Sequence, residues 1–198
     1  MARAKKKNIL KRILGWSLKL FLKLLFIVLL LTVVQVSVLR YVNPPFTAVM
    51  AWNWVQNKFS SKHYKQPEYH WRQLKEISPW LIKAVLAGED QRFMSHHGFD
   101  FIEMNHAVRD IISSRRVRGA STISMQVART VFLWPDRNWA RKVAEAYYTV
   151  LIELFWTKPR ILEMYLNVVD WGTGIMGAEA ASKKYFHSNS ASINPSQA

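Results

Sequence analysis

The 198-residue chain has no cysteine, so disulfide frameworks and thiolate metal sites are excluded and an oxidising compartment needs no accommodation. Acidic residues are missing from the first forty positions, which carry nine Lys and Arg, whereas the remainder sets nineteen basic residues against thirteen acids. The net charge of +15 is therefore concentrated in one arm beside an apolar run. That distribution fits an anionic membrane face, and nucleic acid is not an expected partner. Internal repeats, heptads and strand-like alternation of useful length are also lacking. The length allows one sizeable domain plus an appendage, and the fold is expected to be mainly α.

What is present begins with a basic arm, 1–23, whose Lys and Arg are interleaved with Ile9, Leu10, Ile13, Leu14, Trp16, Leu18, Leu20 and Phe21, as in an interfacial amphipathic segment. Residues 24–39 carry no charge. Because a span needs roughly 17–25 mostly apolar residues, a single transmembrane helix is placed at 20–40, with Lys23 snorkelling. The absence of a small-x-small site after the run argues against a cleaved signal peptide. The basic bias puts the N-terminus in the cytoplasm and everything beyond Arg40 outside a bacterial inner membrane. Asn43-Pro44-Pro45 breaks the helix, and 41–70 forms a membrane-proximal linker or jaw. Its Trp52, Trp54, Phe59, Tyr64 and Tyr69 among Lys58, Lys62 and Lys65 suit either the headgroup zone or an aromatic cluster at the base of the domain.

The domain proper is expected over 71–198. Ser78 and Pro79 open a helix with Trp80, Leu81, Ala84 and Val85 on one face, which places Glu89 and Asp90 near its C-terminus, where the macrodipole disfavours added negative charge. Glu89 is a candidate general base; the alternative is an exposed acid paired with Arg92. Asp100 and Glu103 form a capping-box-like start to the next helix, which carries Phe101, Met104, Ala107, Val108 and Ile111. After the basic loop Ser113–Gly119, Ser121 caps a helix over 122–132, LWPDRN breaks it, and a long helix over 139–156 follows. In that helix Arg141 and Glu145 at i,i+4 could be an ordinary surface pair.

Four blocks in order resemble the family 51 glycosyltransferases, which polymerise peptidoglycan glycan strands. They are Glu89-Asp90-x-x-Phe93-x-x-His96-x-Gly98, Gly119-Ala120-Ser121-Thr122-Ile123-Ser124-Met125-Gln126, Arg141-Lys142-x-x-Glu145, and Ile161-Leu162-Glu163-x-Tyr165-Leu166-Asn167, the last leading to Gly172, Gly177 and Tyr185-Phe186. The resemblance covers about 80–186 behind one anchor, with no acyltransferase domain following, as in the monofunctional members. It implies a lysozyme-like α-helical glycosyltransferase domain with a small membrane-facing jaw, and lipid II and the growing glycan strand as substrates. Membrane lipids and proteins of cell-wall synthesis or division are the other expected partners.

On this basis Glu89 and Glu145 are the catalytic acids, and Asp90, Gln126, Arg129, Arg141 and Lys142 contact substrate. Phe93, His96, Gly98, Ser121 and Thr122 support the loops. A diphosphate is already a good leaving group, so its departure needs charge neutralisation, which Arg129, Arg141 and Lys142 can supply. Glu145 could orient those cations or hold a divalent ion such as Mg2+ or Mn2+, although no cofactor is required. Three departures from the family pattern stand out: Met125 replaces a usual Gln, Arg129 a usual Lys, and HSNSASINPSQA follows Phe186 where the family continues into apolar helices. An uncovered part of the helical core is the expectation there. The competing functions are a lysozyme-like glycan-cleaving enzyme with Glu89 as acid and a non-catalytic membrane-anchored scaffold for cell-wall assembly.

Overall fold

The computed structural model describes residues 2–59, 68–113, 119–172 and 174–198, with side chains from Leu14 onward. The chain divides into two compact units, Met1–Tyr41 and Val42–Ala198. In the first, the arm and apolar run form one continuous helix, α1 (Ala2–Leu39). Its Leu14–Leu39 stretch is, among the described residues, the one helix long and apolar enough to cross a membrane. At 1.5 Å per residue it reaches roughly 39 Å, more than the hydrocarbon core requires, which leaves room for tilt.

The second unit is mainly α, as expected. It runs α2 (Ala48–Phe59), β1 (Glu68–Tyr69), a 3-10 turn (Leu74–Glu76), α3 (Pro79–Glu89), α4 (Phe101–Ile112), α5 (Ile123–Phe132), α6 (Trp139–Phe155), α7 (Lys158–Val168), β2 (Ile175–Met176) and α8 (Gly177–Phe186). The two strands pair in parallel, Glu68 opposite Ile175 and Tyr69 opposite Met176. Two residues apiece are too few for alternation to register in a sequence. Lys62, Tyr64 and Lys65 of the aromatic-basic segment, and 114–118 of the basic loop, lie outside the described residues.

The core is built around α5, which packs against α6 and α7, while α7 also packs on α8. Ile123, Met125, Val127, Ala128 and Val131 of α5 are buried, as are Ile161, Leu162, Met164, Tyr165, Leu166 and Val168 of α7. Burial of a large apolar side chain contributes about 1.5–3 kcal/mol. A helix cap contributes about 1. Packing therefore fixes α5 and α7, and their caps only set where they begin. Ser78 caps α3 through the Trp80 N–H, as its sequence predicts, but Trp80 itself is half-exposed and only Leu81 and Val85 of the expected face are buried. Likewise Asp100 caps α4, yet Glu103 turns to Arg92 and His106 instead of closing a capping box. Ala107 alone of the predicted α4 face is buried, and Phe101, Val108 and Ile111 are exposed.

The segment after α8 is held by hydrogen bonds to the domain. Ser190 and Ile193 are buried, and Ser78 donates its N–H to the Ser190 carbonyl and its hydroxyl to the Ile193 carbonyl. Glu179 of α8, also buried, accepts from Arg72 at 2.9 Å and from the Ser190 hydroxyl and N–H at 2.8 and 3.0 Å. Asn167 of α7 ties down the segment that leads into the 3-10 turn by exchanging hydrogen bonds with the Arg72 backbone at 2.7 and 2.8 Å. Gly177 sits at φ +82 against the Asn167 carbonyl oxygen, 2.4 Å from where a Cβ would lie, so only glycine fits.

Burial alone would raise the Glu179 carboxyl, but Arg72, Ser190 and Lys183 override it and hold it at about 2, below its ordinary 4.5. A carboxyl depressed by folding stabilises the fold above its ordinary value, and that contribution is lost as pH falls from about 4.5 toward about 2. Glu179→Gln is therefore expected to lower Tm at neutral pH and to flatten the acid side of the Tm against pH curve. Circular dichroism checks this; parallel curves for variant and wild type would refute it.

Candidate active site

Glu89 is the last residue of α3. The buried Leu81 and Val85 fix the helix on the core, so its C-terminal end opens onto the cleft. There Glu89 Oε2 accepts from Gln126 Nε2 of α5 at 2.8 Å, and Tyr165 of α7 lines the same cavity. Arg92 does not pair with Glu89. Its guanidinium binds Asp100 through two bonds, 2.9 and 2.6 Å. Burial would raise the Asp100 carboxyl, but the Glu103 N–H and Arg92 hold it below the usual range. Glu89 lines two cavities, one of about 380 Å³ with Val85, Tyr165, Asp170 and Trp171, the other of about 510 Å³ with Arg92, Gly119 and Ser121.

Asp90 is turned the other way. It is the C-cap of α3, where φ −161 and ψ 79 carry the chain out of the helix. Its nearly buried carboxylate accepts from the Ile123 N–H at 3.0 Å and lies 2.9 and 3.0 Å from His96 Nε2. Asp90 thereby clamps the start of α5, the helix that carries Gln126 and Arg129, while still lining the larger of the two Glu89 cavities. Phe93 is fully buried beneath the Lys158 ammonium, 4.4 Å from its ring centroid, and His96 meets the ring edge-on. Gly98 has φ +89, and a Cβ there would stand 2.8 Å from Thr149 Cγ2 of α6. The Gly98 carbonyl accepts from the Thr122 hydroxyl at 2.6 Å, and Thr122, not the predicted Ser121, caps α5 through the Met125 N–H. Met125 is buried in the core, so its replacement of an amide does not alter the cleft wall.

The second acid lies on α6, capped by Asn138. Glu145 is 1% exposed; its Oε2 accepts from Arg141 Nη1 at 3.0 Å and its Oε1 from Lys142 Nζ at 2.6 Å. The Arg141 side chain is itself nine-tenths buried, which rules out the ordinary surface pair. Its Nε has no hydrogen-bond partner among the described residues. A divalent ion beside Glu145 would meet two cations already in place, so the donor set does not fit one well.

A cavity of about 310 Å³ is lined by Gln126, Arg129, Arg137, Arg141, Tyr165 and Asp170. Gln126, which bonds Glu89, and Tyr165, which lines the Glu89 cavity, are both also wall of the cavity of the three arginines. Lys142, predicted with the arginines, directs its ammonium to Glu145. Arg137 and Asp170 escaped the sequence reading. The first lies in a stretch that reads only as a helix breaker, and the second follows α7 with no spacing to link it to the cleft.

The family model described as Transglycosylase matches residues 56–198. A biosynthetic peptidoglycan transglycosylase of Xanthomonas campestris pv. campestris (strain B100) is 47% identical over 172 residues, covering 84% of this chain and 68% of that protein. One of Shewanella oneidensis is 42% identical over 185 residues, covering 92% and 76%. Another, of Ectopseudomonas mendocina (strain ymp), is 46% identical over 180 residues, covering 89% and 73%.

Proposed function

The chain belongs to the transglycosylase family and is a peptidoglycan glycosyltransferase, and we propose that it joins lipid II units into β-1,4 glycan strands with Glu89 as the general base. The observation carrying this assignment is that a carboxylate bonded by Gln126 lines a cavity adjoining that of Arg129, Arg137 and Arg141, with Tyr165 and Asp170 as shared wall. As the acceptor hydroxyl oxygen attacks C1 of the donor sugar, its proton passes to Glu89. The bond from C1 to the diphosphate oxygen breaks, and undecaprenyl diphosphate leaves carrying the electron pair. Attack opposite the leaving group inverts an α-linked donor to a β-linked product.

The arginines meet the charge that develops on the leaving diphosphate, and the unpartnered Arg141 Nε offers it a buried donor. Glu145 holds Arg141 and Lys142 in place, and no step requires a metal. With α1 as anchor and its N-terminus cytoplasmic, the domain works at the outer face of the inner membrane, where a polyprenyl-linked substrate is confined. A hydrolase that protonates an ordinary glycosidic oxygen has no use for three arginines beside its acid.

Detergent-solubilised protein given labelled lipid II is expected to form glycan polymer and release undecaprenyl diphosphate. No polymer from folded protein would favour the scaffold, and cleavage of preformed strands the hydrolase. Arg137→Ala is expected to lower kcat/KM about 10- to 100-fold, the loss of one charge-assisted contact, with Arg137→Lys recovering part of it. Unchanged kinetics would remove Arg137 from the site.

A further inference from the structure

We infer that residues 42–47, just after the membrane anchor, form a rigid collar, and that Arg160 is its positioning residue, setting the depth at which the arginine cavity meets a lipid-borne diphosphate. The inference rests on the proposed substrate, lipid II, being held in the membrane. Arg160 lies in the first turn of α7 and donates through Nη2 to the Val42 carbonyl at 2.9 Å and through Nη1 to Asn43 Oδ1 at 2.8 Å. Glu163 Oε1 at 2.6 Å and the Trp71 ring, its centroid 5.2 Å from Arg160 Cζ, hold the guanidinium in that place. Pro44 is buried, and its carbonyl accepts from the Tyr69 hydroxyl at 2.9 Å. Thr47, fully buried, closes the collar where α2 begins, its hydroxyl accepting from the Met50 N–H at 3.2 Å.

Each of these ties leads to an element that walls the arginine cavity. Arg160 holds α7, which supplies Tyr165 and Val168; Tyr69 pairs with Met176 across β1 and β2; Thr47 opens α2, which supplies Val49. Tyr165, Val168, Met176 and Val49 all line that cavity, whereas Arg160 and Asn43 stand outside it and can act on the reaction only through placement. Because α7 is buried along most of its length, a fixed first turn means a fixed last turn. The two prolines stiffen the same stretch by locking φ at Pro44 and Pro45. A free linker of this length would let its ends wander over roughly 12–15 Å. A displacement of about 1 Å at a reacting centre can already cost about 10²-fold. A diphosphate confined to headgroup depth therefore needs a stiff joint as well as a cationic cavity. In the sequence Asn43-Pro44-Pro45 reads only as a helix break, and nothing in the spacing ties it to Arg160.

The test compares Arg160→Ala with wild type on lipid II in liposomes and in detergent micelles, where the substrate is free to tumble toward the cavity. If about one in ten of the heights then sampled is productive, KM in liposomes rises about tenfold with kcat unchanged, while the kinetics in detergent stay those of wild type. An equal loss in both media would make Arg160 merely structural, and unchanged kinetics in liposomes would give it no part; both overturn the inference. Should the alanine variant not fold, a Gly-Ser-Gly insertion between Tyr41 and Val42 leaves every bond of the collar in place and frees the anchor from it. The same liposome-only rise in KM is expected, and wild-type kinetics from the insertion again overturn the inference. A dye separates the collar from the substrate reading. The chain has no cysteine, so Lys184→Cys, exposed on α8, can be labelled alone in wild-type and Arg160→Ala backgrounds. Energy transfer to headgroup-labelled lipid is expected to report one depth with Arg160 present and a broad spread without it. Equal distributions overturn the collar whether or not polymer forms, whereas distinct distributions with no polymer from wild type would remove lipid II and keep the collar.

Discussion

Glu89→Gln is expected to abolish glycan polymerisation while leaving the fold intact. The substitution keeps size and shape, and the side chain is a solvent-reached wall of the cleft, so Tm should move little. Removing a general base costs about 10²- to 10⁴-fold in rate, and the amide that replaces it cannot accept a proton at neutral pH. Glu89→Asp, one methylene shorter, draws the carboxylate back from Gln126 by about 1 Å, a displacement that alone can cost about 10²-fold. Product length on gels and release of undecaprenyl diphosphate give the measure. Polymer from Glu89→Gln at wild-type rate would move the base elsewhere, and Asp170 is the acid in the same cavity to examine next.

The position of Glu89 was legible because it follows from local rules: a Ser-Pro start, an apolar face and a countable helix. The direction of its neighbour was not. Asp90 is one residue further on, but the chain leaves the helix there, and the adjacent carboxylate turns inward to meet α5. Ser121 and Thr122 are equally good caps by type, and the choice is made by a bond from Thr122 to the Gly98 carbonyl, far away in sequence. Arg137 and Asp170, which line the arginine cavity, were missed for a similar reason. Arg137 lies in the loop between α5 and α6 and Asp170 follows α7, and only the tertiary fold brings them to one cavity. The short β1 and β2 pair left no periodic trace at all. Block order carried the family, since the transglycosylase match spans the same four blocks.

Glu145→Gln is expected to be costly in two separable ways. Glu145 is almost fully buried and is the acid that both Arg141 and Lys142 bond; Arg141 is nine-tenths buried, while Lys142 is nearly half exposed. Losing the carboxylate leaves a buried guanidinium without compensation, which costs about 3–5 kcal/mol. Lys142 can turn to water and adds little. Against a typical total stability of about 5–15 kcal/mol, the variant should melt far below wild type. It should also bind substrate poorly, because Arg141 then has nothing to hold it toward the cavity. An added anion reads the second effect apart from the first. Inorganic pyrophosphate, standing in for the leaving group, finds Arg141 in place in wild type and displaced in the variant, so it should raise the Tm of wild type more than that of Glu145→Gln. Equal shifts in the two proteins would mean that Arg141 does not face the anion, and its place in the diphosphate cavity would have to be given up even if Glu89 kept its own.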